Sequence, residues 1–259
     1  MPLDAPRRLI GATLVAMGLV ASTPAGVAAS SVTLAVGASA TVTALPQATT
    51  FTELSGLPQD TDTYGKLSGI VVHPVRTVAV YALPGGKPVA TLPAKQLGSQ
   101  TWVPVVESRK GWHRVLLPSK PNHVTGWIRA KGLKQASSSY RAIVKLSTKR
   151  LTVMNGSKKL GTWTVAIGGP DTPTPVGRTF LLALMSPKKK TYSPLILPLG
   201  THSTTLDTFG GGPGTVAFHG WPDRKVFGKA VTHGCIRVPA KALKVLARMP
   251  LGTPVLIAP

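Results

Sequence analysis

The chain has 259 residues, among them 27 glycines, 24 prolines and one cysteine, and a net charge of +22. This length holds one or two domains with a real core, and a single cysteine excludes an internal disulfide. The frequent glycine, proline, valine and threonine favour short strands and turns over long helices.

The basic residues are unevenly placed. Residues 66–259 carry 28 of them against four acids, a net +24. Such a field implies polyanionic surroundings, either nucleic acid or an anionic envelope. The N-terminus decides between them. Arg7 and Arg8 precede an apolar run over residues 9–20, then Ser22-Thr23-Pro24 and the small residues Val27-Ala28-Ala29. This is the pattern of a secretory signal peptide over residues 1–29; the run is too short for a membrane span, and the alternative is an uncleaved anchor. No cysteine follows the run, which excludes lipid attachment there. The protein is therefore expected to be exported, to the cell wall or the periplasmic side of the membrane. Its polyanions are then anionic cell-wall polymers and no nucleic acid, for which no motif is present. Residues 30–68, rich in Ala, Thr, Ser and Gly, are expected to form a linker.

Residues 69–135 read as short strands: Val71-Val72, Val78-Ala79-Val80-Tyr81, Val89-Ala90-Thr91-Leu92, then runs at 101–106, 112–116 and 126–128. Pro84-Gly85-Gly86 and Arg109-Lys110-Gly111 are turns. Small barrels have this rhythm. The segments Val80-Tyr81-Ala82-Leu83-Pro84, Gly111-Trp112-His113-Arg114-Val115 and Gly126-Trp127-Ile128 resemble bacterial SH3-like domains of exported wall proteins. That resemblance implies either a binder of peptidoglycan peptides or a spacer. Trp102, Trp112 and Trp127 fit a core better than a ligand platform.

Residues 135–139 form a short polar joint. Strands are expected at 142–146 and 150–154, with Asn155-Gly156 as a hairpin turn, and again at 162–167 and 176–182. Lys188-Lys189-Lys190 reads as a solvated loop. Phe209-Gly210-Gly211-Gly212-Pro213-Gly214 is glycine-rich but lacks the Gly-Lys-Ser/Thr ending of a phosphate loop. Residues 239–248 form the one clear helix, with proline near its start and apolar positions at 242, 243, 246 and 249. Residues 255–257 form a closing strand.

The chemistry concentrates in residues 215–238, which hold Cys235, His219 and His233. A cysteine near a histidine can act as a nucleophile, because imidazole can take the thiol proton. Gly234 allows close backbone approach, and the amides of Gly234 and Cys235 can stabilise an oxyanion. Spacing alone does not say which histidine is the base. Two alternatives are an inert buried thiol and a zinc site from His202, His219, His233 and Cys235, although no usual paired-ligand spacing is present. His73, His113, His123 and His202 have no motif context.

Thr232-His233-Gly234-Cys235-Ile236-Arg237, with His219-Gly220 upstream, resembles the active-site signature of the L,D-transpeptidases, the YkuD-type catalytic domain. Pro173-Thr174-Pro175-Val176-Gly177 resembles the Thr-Pro-rich turn of that family, and the likeness covers roughly residues 140–259. The expected fold is mainly β: a small SH3-like barrel, then a β-sandwich-like catalytic domain with few helices. The resemblance implies Cys235 as nucleophile, His219 as base and the Gly220 carbonyl as the group orienting its ring. It places His233 beside the thiol as a hydrogen-bonding support and Thr232 at a Ser/Thr position. Arg237 would grip a substrate carboxylate. It implies a monomeric enzyme without a cofactor that forms 3→3 crosslinks between peptidoglycan stem peptides through an acyl-enzyme. Carbapenem-type β-lactams would be covalent inhibitors. The alternative is a non-catalytic wall-binding protein that retains the domain as a scaffold.

Overall fold

Valine-rich segments pair early in the chain, and several bury three or four residues in a row. In the computed structural model, which describes residues 45–189 and 191–259, the first such group forms a seven-stranded antiparallel sheet. Its spatial order is Pro88–Leu92, Val78–Tyr81, Thr125–Arg129, Trp112–Leu116, Val103–Arg109, Ile70–Pro74, Leu133–Ser137. The expected signal peptide at 1–29, and residues 30–44 of the expected linker, lie outside the described residues.

The three tryptophans of this sheet are packed. Arg129 covers the ring of Trp112 at 4.6 Å and Arg109 that of Trp127 at 4.8 Å. Trp102 stacks against His73 at 5.2 Å.

Two expectations need correction. From residue 45 the expected linker is a packed strap. Ala48, Leu54 and Leu67 belong to the core of the N-terminal sheet, and Gln47, Glu53 and Gln59 bridge to Thr91, Lys120 and Val124. Its backbone is satisfied by the outer strand: the Ala48 amide donates to Thr91 O at 2.7 Å and the Thr91 amide to Pro46 O at 2.9 Å. A strap that contributes one apolar residue at a time has no periodicity, so its composition looks like that of a linker. The polar joint is also mostly strand. Leu133–Ser137 pairs with Ile70–Pro74 over its whole length, and edge strands tolerate polar residues.

The C-terminal part has two larger sheets and two two-stranded ones. Five strands run in the order Lys158–Thr164, Arg150–Asn155, Tyr140–Lys145, Pro254–Ala258, Gly177–Phe180. Three run in the order Ile196–His202, Thr215–His219, Ile236–Arg237. One core joins them, with Val144, Leu151 and Val255 from the first sheet, Leu199, Val216, Phe218 and Ile236 from the second, and Leu243 and Leu246 from the helix. Burying each Val, Leu or Phe contributes about 1.5–3 kcal/mol relative to exposure. The helix is Ala240–Leu246, with Pro239 in the N-cap position. Its four expected apolar positions, Ala242, Leu243, Leu246 and Met249, are all buried.

The strand Gly177–Phe180 and its continuation lie between two cores. Phe180 and Leu182 enter the core of the N-terminal sheet, and Leu181 enters the C-terminal one, as alternation requires. On the same strand Arg178 forms a buried bidentate pair with Asp60 of the strap, Nε to Oδ2 at 2.6 Å and Nη2 to Oδ1 at 2.7 Å.

Candidate active site

Strand parity builds the site. Thr215–His219 runs parallel to Ile236–Arg237, with Phe218 opposite Ile236 and His219 opposite Arg237. Phe218 and Ile236 are fully buried in the core. Side chains of opposite parity therefore leave from the other face. Ala217, His219, Cys235 and Arg237 line one cavity of about 330 Å³, together with Tyr192, Trp221, Phe209, Thr232 and His233.

His219 is held by its own neighbour. A carbonyl can only accept, so the 2.8 Å contact between His219 Nδ1 and Gly220 O fixes the proton on Nδ1. In the neutral ring Nε2 is then the acceptor. Gly220 is itself anchored, its amide donating to Ser193 Oγ at 2.7 Å. The Ser193 hydroxyl donates onward to Leu195 O at 2.5 Å. The Tyr192 ring meets the imidazole edge-on at 4.9 Å.

Burial pushes the His219 imidazole below its ordinary pKa. The Gly220 carbonyl opposes this, and the Arg237 charge adds to it. Burial pushes the Cys235 thiol up, against smaller lowering contributions from the backbone at Ala217 and from Arg237. Both shifts favour uncharged partners, a thiol and a neutral imidazole.

The loop before the cysteine is cross-braced. Thr232 Oγ1 donates to Cys235 O at 2.5 Å and accepts from the Gly234 amide at 3.2 Å. Gly234 has a φ of +104°, a conformation that favours glycine. The Thr-Pro turn holds the loop from outside. Thr172 Oγ1 donates to Thr232 O, and Thr174 Oγ1 to Gly234 O, each at 2.9 Å.

His233 stands elsewhere than expected. It is exposed, stacks on Phe209 at 4.9 Å, and makes no hydrogen bond to the thiol among the described residues. The ring leans outward because Phe209 caps it from the hairpin that joins Thr208–Phe209 to Gly212–Pro213. The Gly234 amide also differs from expectation, since in the resting site it bonds the Thr232 hydroxyl.

Arg237 lies over the Trp221 ring at 3.6 Å. Its Nε is buried without a hydrogen-bond partner, and it makes no ion pair among the described residues. A fixed guanidinium in that state suits an incoming carboxylate.

Tyr192, Ser193 and Phe209 carry no motif, so sequence reading missed them. Trp221 follows His219-Gly220 directly and could have been found by that adjacency. Two of the histidines without motif context bond distant backbone carbonyls: His73 Nδ1 donates to Thr101 O and His123 Nε2 to Val176 O.

Residues 139–257 match the model of the YkuD family, described as the L,D-transpeptidase catalytic domain. No curated protein matches the chain. Among solved structures, the chain is similar to an L,D-transpeptidase from Mycobacterium smegmatis, at 15% identity and a TM-score of 0.41, over 60% of this chain and 80% of that one. It is also similar to L,D-transpeptidase 3 from Mycobacterium tuberculosis in complex with a faropenem-derived adduct, at 16% identity and 0.38, over 53% and 74%. A third is the catalytic domain of an E. faecium L,D-transpeptidase, at 20% identity and 0.35, over 46% and 97%.

Proposed function

With residues 139–257 an L,D-transpeptidase catalytic domain, we propose that this chain is an exported enzyme that forms 3→3 crosslinks in peptidoglycan through a Cys235 acyl-enzyme. One observation carries the reading. The thiol and an imidazole locked in the Nε2-acceptor form leave the same face of paired strands into one cavity.

The resting pair is neutral, so the proton moves during attack. Cys235 Sγ adds to the carbonyl of the third stem residue, and His219 Nε2 takes the thiol proton. The oxyanion falls to the Cys235 amide, because the Gly234 amide is bonded to Thr232. Collapse breaks the amide bond, and His219 returns the proton to the departing D-alanine amine. An amine on a neighbouring stem then attacks the thioester. It loses its proton to His219, a new amide forms, and the thiol is restored as His219 gives that proton back. No step changes oxidation state. Arg237 binds a carboxylate of the stem peptide through the nitrogens facing the cavity.

A β-lactam carbonyl is a strained acyl donor for the same thiol. The test is intact mass after incubation with a carbapenem, followed by product analysis on defined muropeptides. One adduct per chain and a 3→3 linked dimer are expected. Absence of both from wild-type protein would sink the reading.

A further inference from the structure

We infer that loop 117–124 of the N-terminal sheet is a positioning element of the cysteine site, acting through Asn122 and His123. The inference rests on the acyl-transfer reading above for its kinetic arm only.

Asn122 forms a closed pair with one backbone position. Its Nδ2 donates to His202 O and its Oδ1 accepts from the His202 amide, both at 2.8 Å. His202 ends the strand Ile196–His202. Immediately beyond it, the Ser203 amide donates to Gly214 O at 2.7 Å, and the Ser203 hydroxyl accepts from the Leu206 amide at 3.1 Å. Those bonds close the base of the hairpin that brings Phe209 over His233. The next residue after that base, Thr215, offers its carbonyl to Cys235 Sγ at 4.0 Å. Lys120 adds an ion pair to Asp207 at 2.6 Å.

His123 holds the turn that braces the cysteine loop from outside. Its Nε2 donates to Val176 O at 2.8 Å. That carbonyl belongs to the turn whose Thr174 hydroxyl bonds Gly234 O. The approach is close enough to constrain sequence on both sides. His123 has a φ of +67°, a left-handed conformation uncommon outside glycine, in which Asn, Asp and His are the enriched side chains. At Gly177 a Cβ would lie 2.2 Å from His123 Nε2.

Two adjacent side chains of one loop therefore hold two segments that each brace residues lining the cavity, the hairpin base next to Ser203 and the turn bonded to Gly234. The loop reaches these two segments through directed polar bonds, three of them to backbone groups.

The test compares Asn122→Ala, His123→Leu and His123→Gln in the full chain. Gln can place an amide donor where His123 Nε2 stands. On a soluble tetrapeptide donor, Asn122→Ala and His123→Leu should lower kcat by up to about 100-fold, the scale of a misplaced catalytic group, with KM within about twofold. His123→Gln should recover most of the loss. Amide hydrogen exchange should quicken at 200–215 in Asn122→Ala and at 172–178 in His123→Leu, and stay unchanged in the helix Ala240–Leu246. Iodoacetamide alkylation of Cys235 should change in both. Wild-type kcat in both variants, a rise in KM alone, or no recovery by Gln would each overturn the inference. If the wild type neither acylates nor turns over, the functional reading fails. The exchange and alkylation arms then still decide the positioning.

Discussion

Two arginines in this chain are held in opposite ways, Arg178 buried and Arg237 half-buried. Arg178 is 6% exposed against Asp60 at 1%, and its donors reach Asp60, the Asp62 carboxylate and the Gly65 carbonyl. Arg237 has an aromatic face beneath it, and among the described residues its buried Nε has no partner and the side chain no ion pair. A fully paired guanidinium fixes structure, because removing a partner leaves a buried charge. An unpaired one beside a thiol and an imidazole is held ready for a ligand. The first pair ties the strap to the strand that enters both cores, and the second belongs to the cavity.

The largest expected effect lies at the cavity. Cys235→Ala should abolish acylation and transfer, since no second thiol exists, while leaving the fold intact. Intact mass and urea unfolding check both halves, and residual crosslinking would refute the assignment. His219→Ala should slow acylation by about 10²–10⁴-fold, the usual contribution of a general base. His233→Ala should cost less, because its ring is exposed and stacked on Phe209. Pre-steady-state acylation rates rank the two, and the reverse order would exchange their roles.

The comparison itself is tested by a pair of variants. Asp60→Ala leaves Arg178 buried with only the longer contacts to Asp62 and the Gly65 carbonyl, and should cost up to about 3–5 kcal/mol of stability. Arg237→Met should change stability by under about 1 kcal/mol and act on donor binding instead, with the loss of a charge-assisted contact worth about 1.5–3 kcal/mol. Equal destabilisation by both in urea titrations would erase the distinction.

The smallest effect is one of pH. Burial lowers the pKa of His219 from 6.5, so the base stays neutral as pH falls through its ordinary range. The acid limb of acylation should therefore lie below pH 6.5. Burial raises the thiol, so direct alkylation of Cys235 in His219→Ala should rise only above the usual thiol range. An acid limb above 6.5 would mean that the imidazole is not the buried base described.

The sequence shows the chemistry more plainly than the scaffold. Cys235, His219, Gly220, Thr232 and Arg237 lie in one short stretch; four of them line one cavity, and Gly220 holds the His219 ring. His233 was legible as a neighbour of the thiol in sequence. Its direction was not, because it depends on Phe209, 24 positions earlier. The strap was illegible for a similar reason. Asp60 looks like an exposed acid until Arg178 reaches it from 118 residues away. Tyr192 and Ser193 sit in a lysine-flanked loop where nothing local suggests a role, and only the return of the chain to His219 and Gly220 gives them one.

The strand that sends Phe180 and Leu182 one way and Leu181 the other bears on how such a protein can be rebuilt. A graft of residues 139–257 onto a different anchor would carry two large apolar side chains cut off from their partners. The recipient would have to offer a matching hollow, or both positions would need polar replacements. Shuffling at the joint is thus constrained by a seam some forty residues downstream of it, and a natural fusion that keeps this half should keep a cap over that seam.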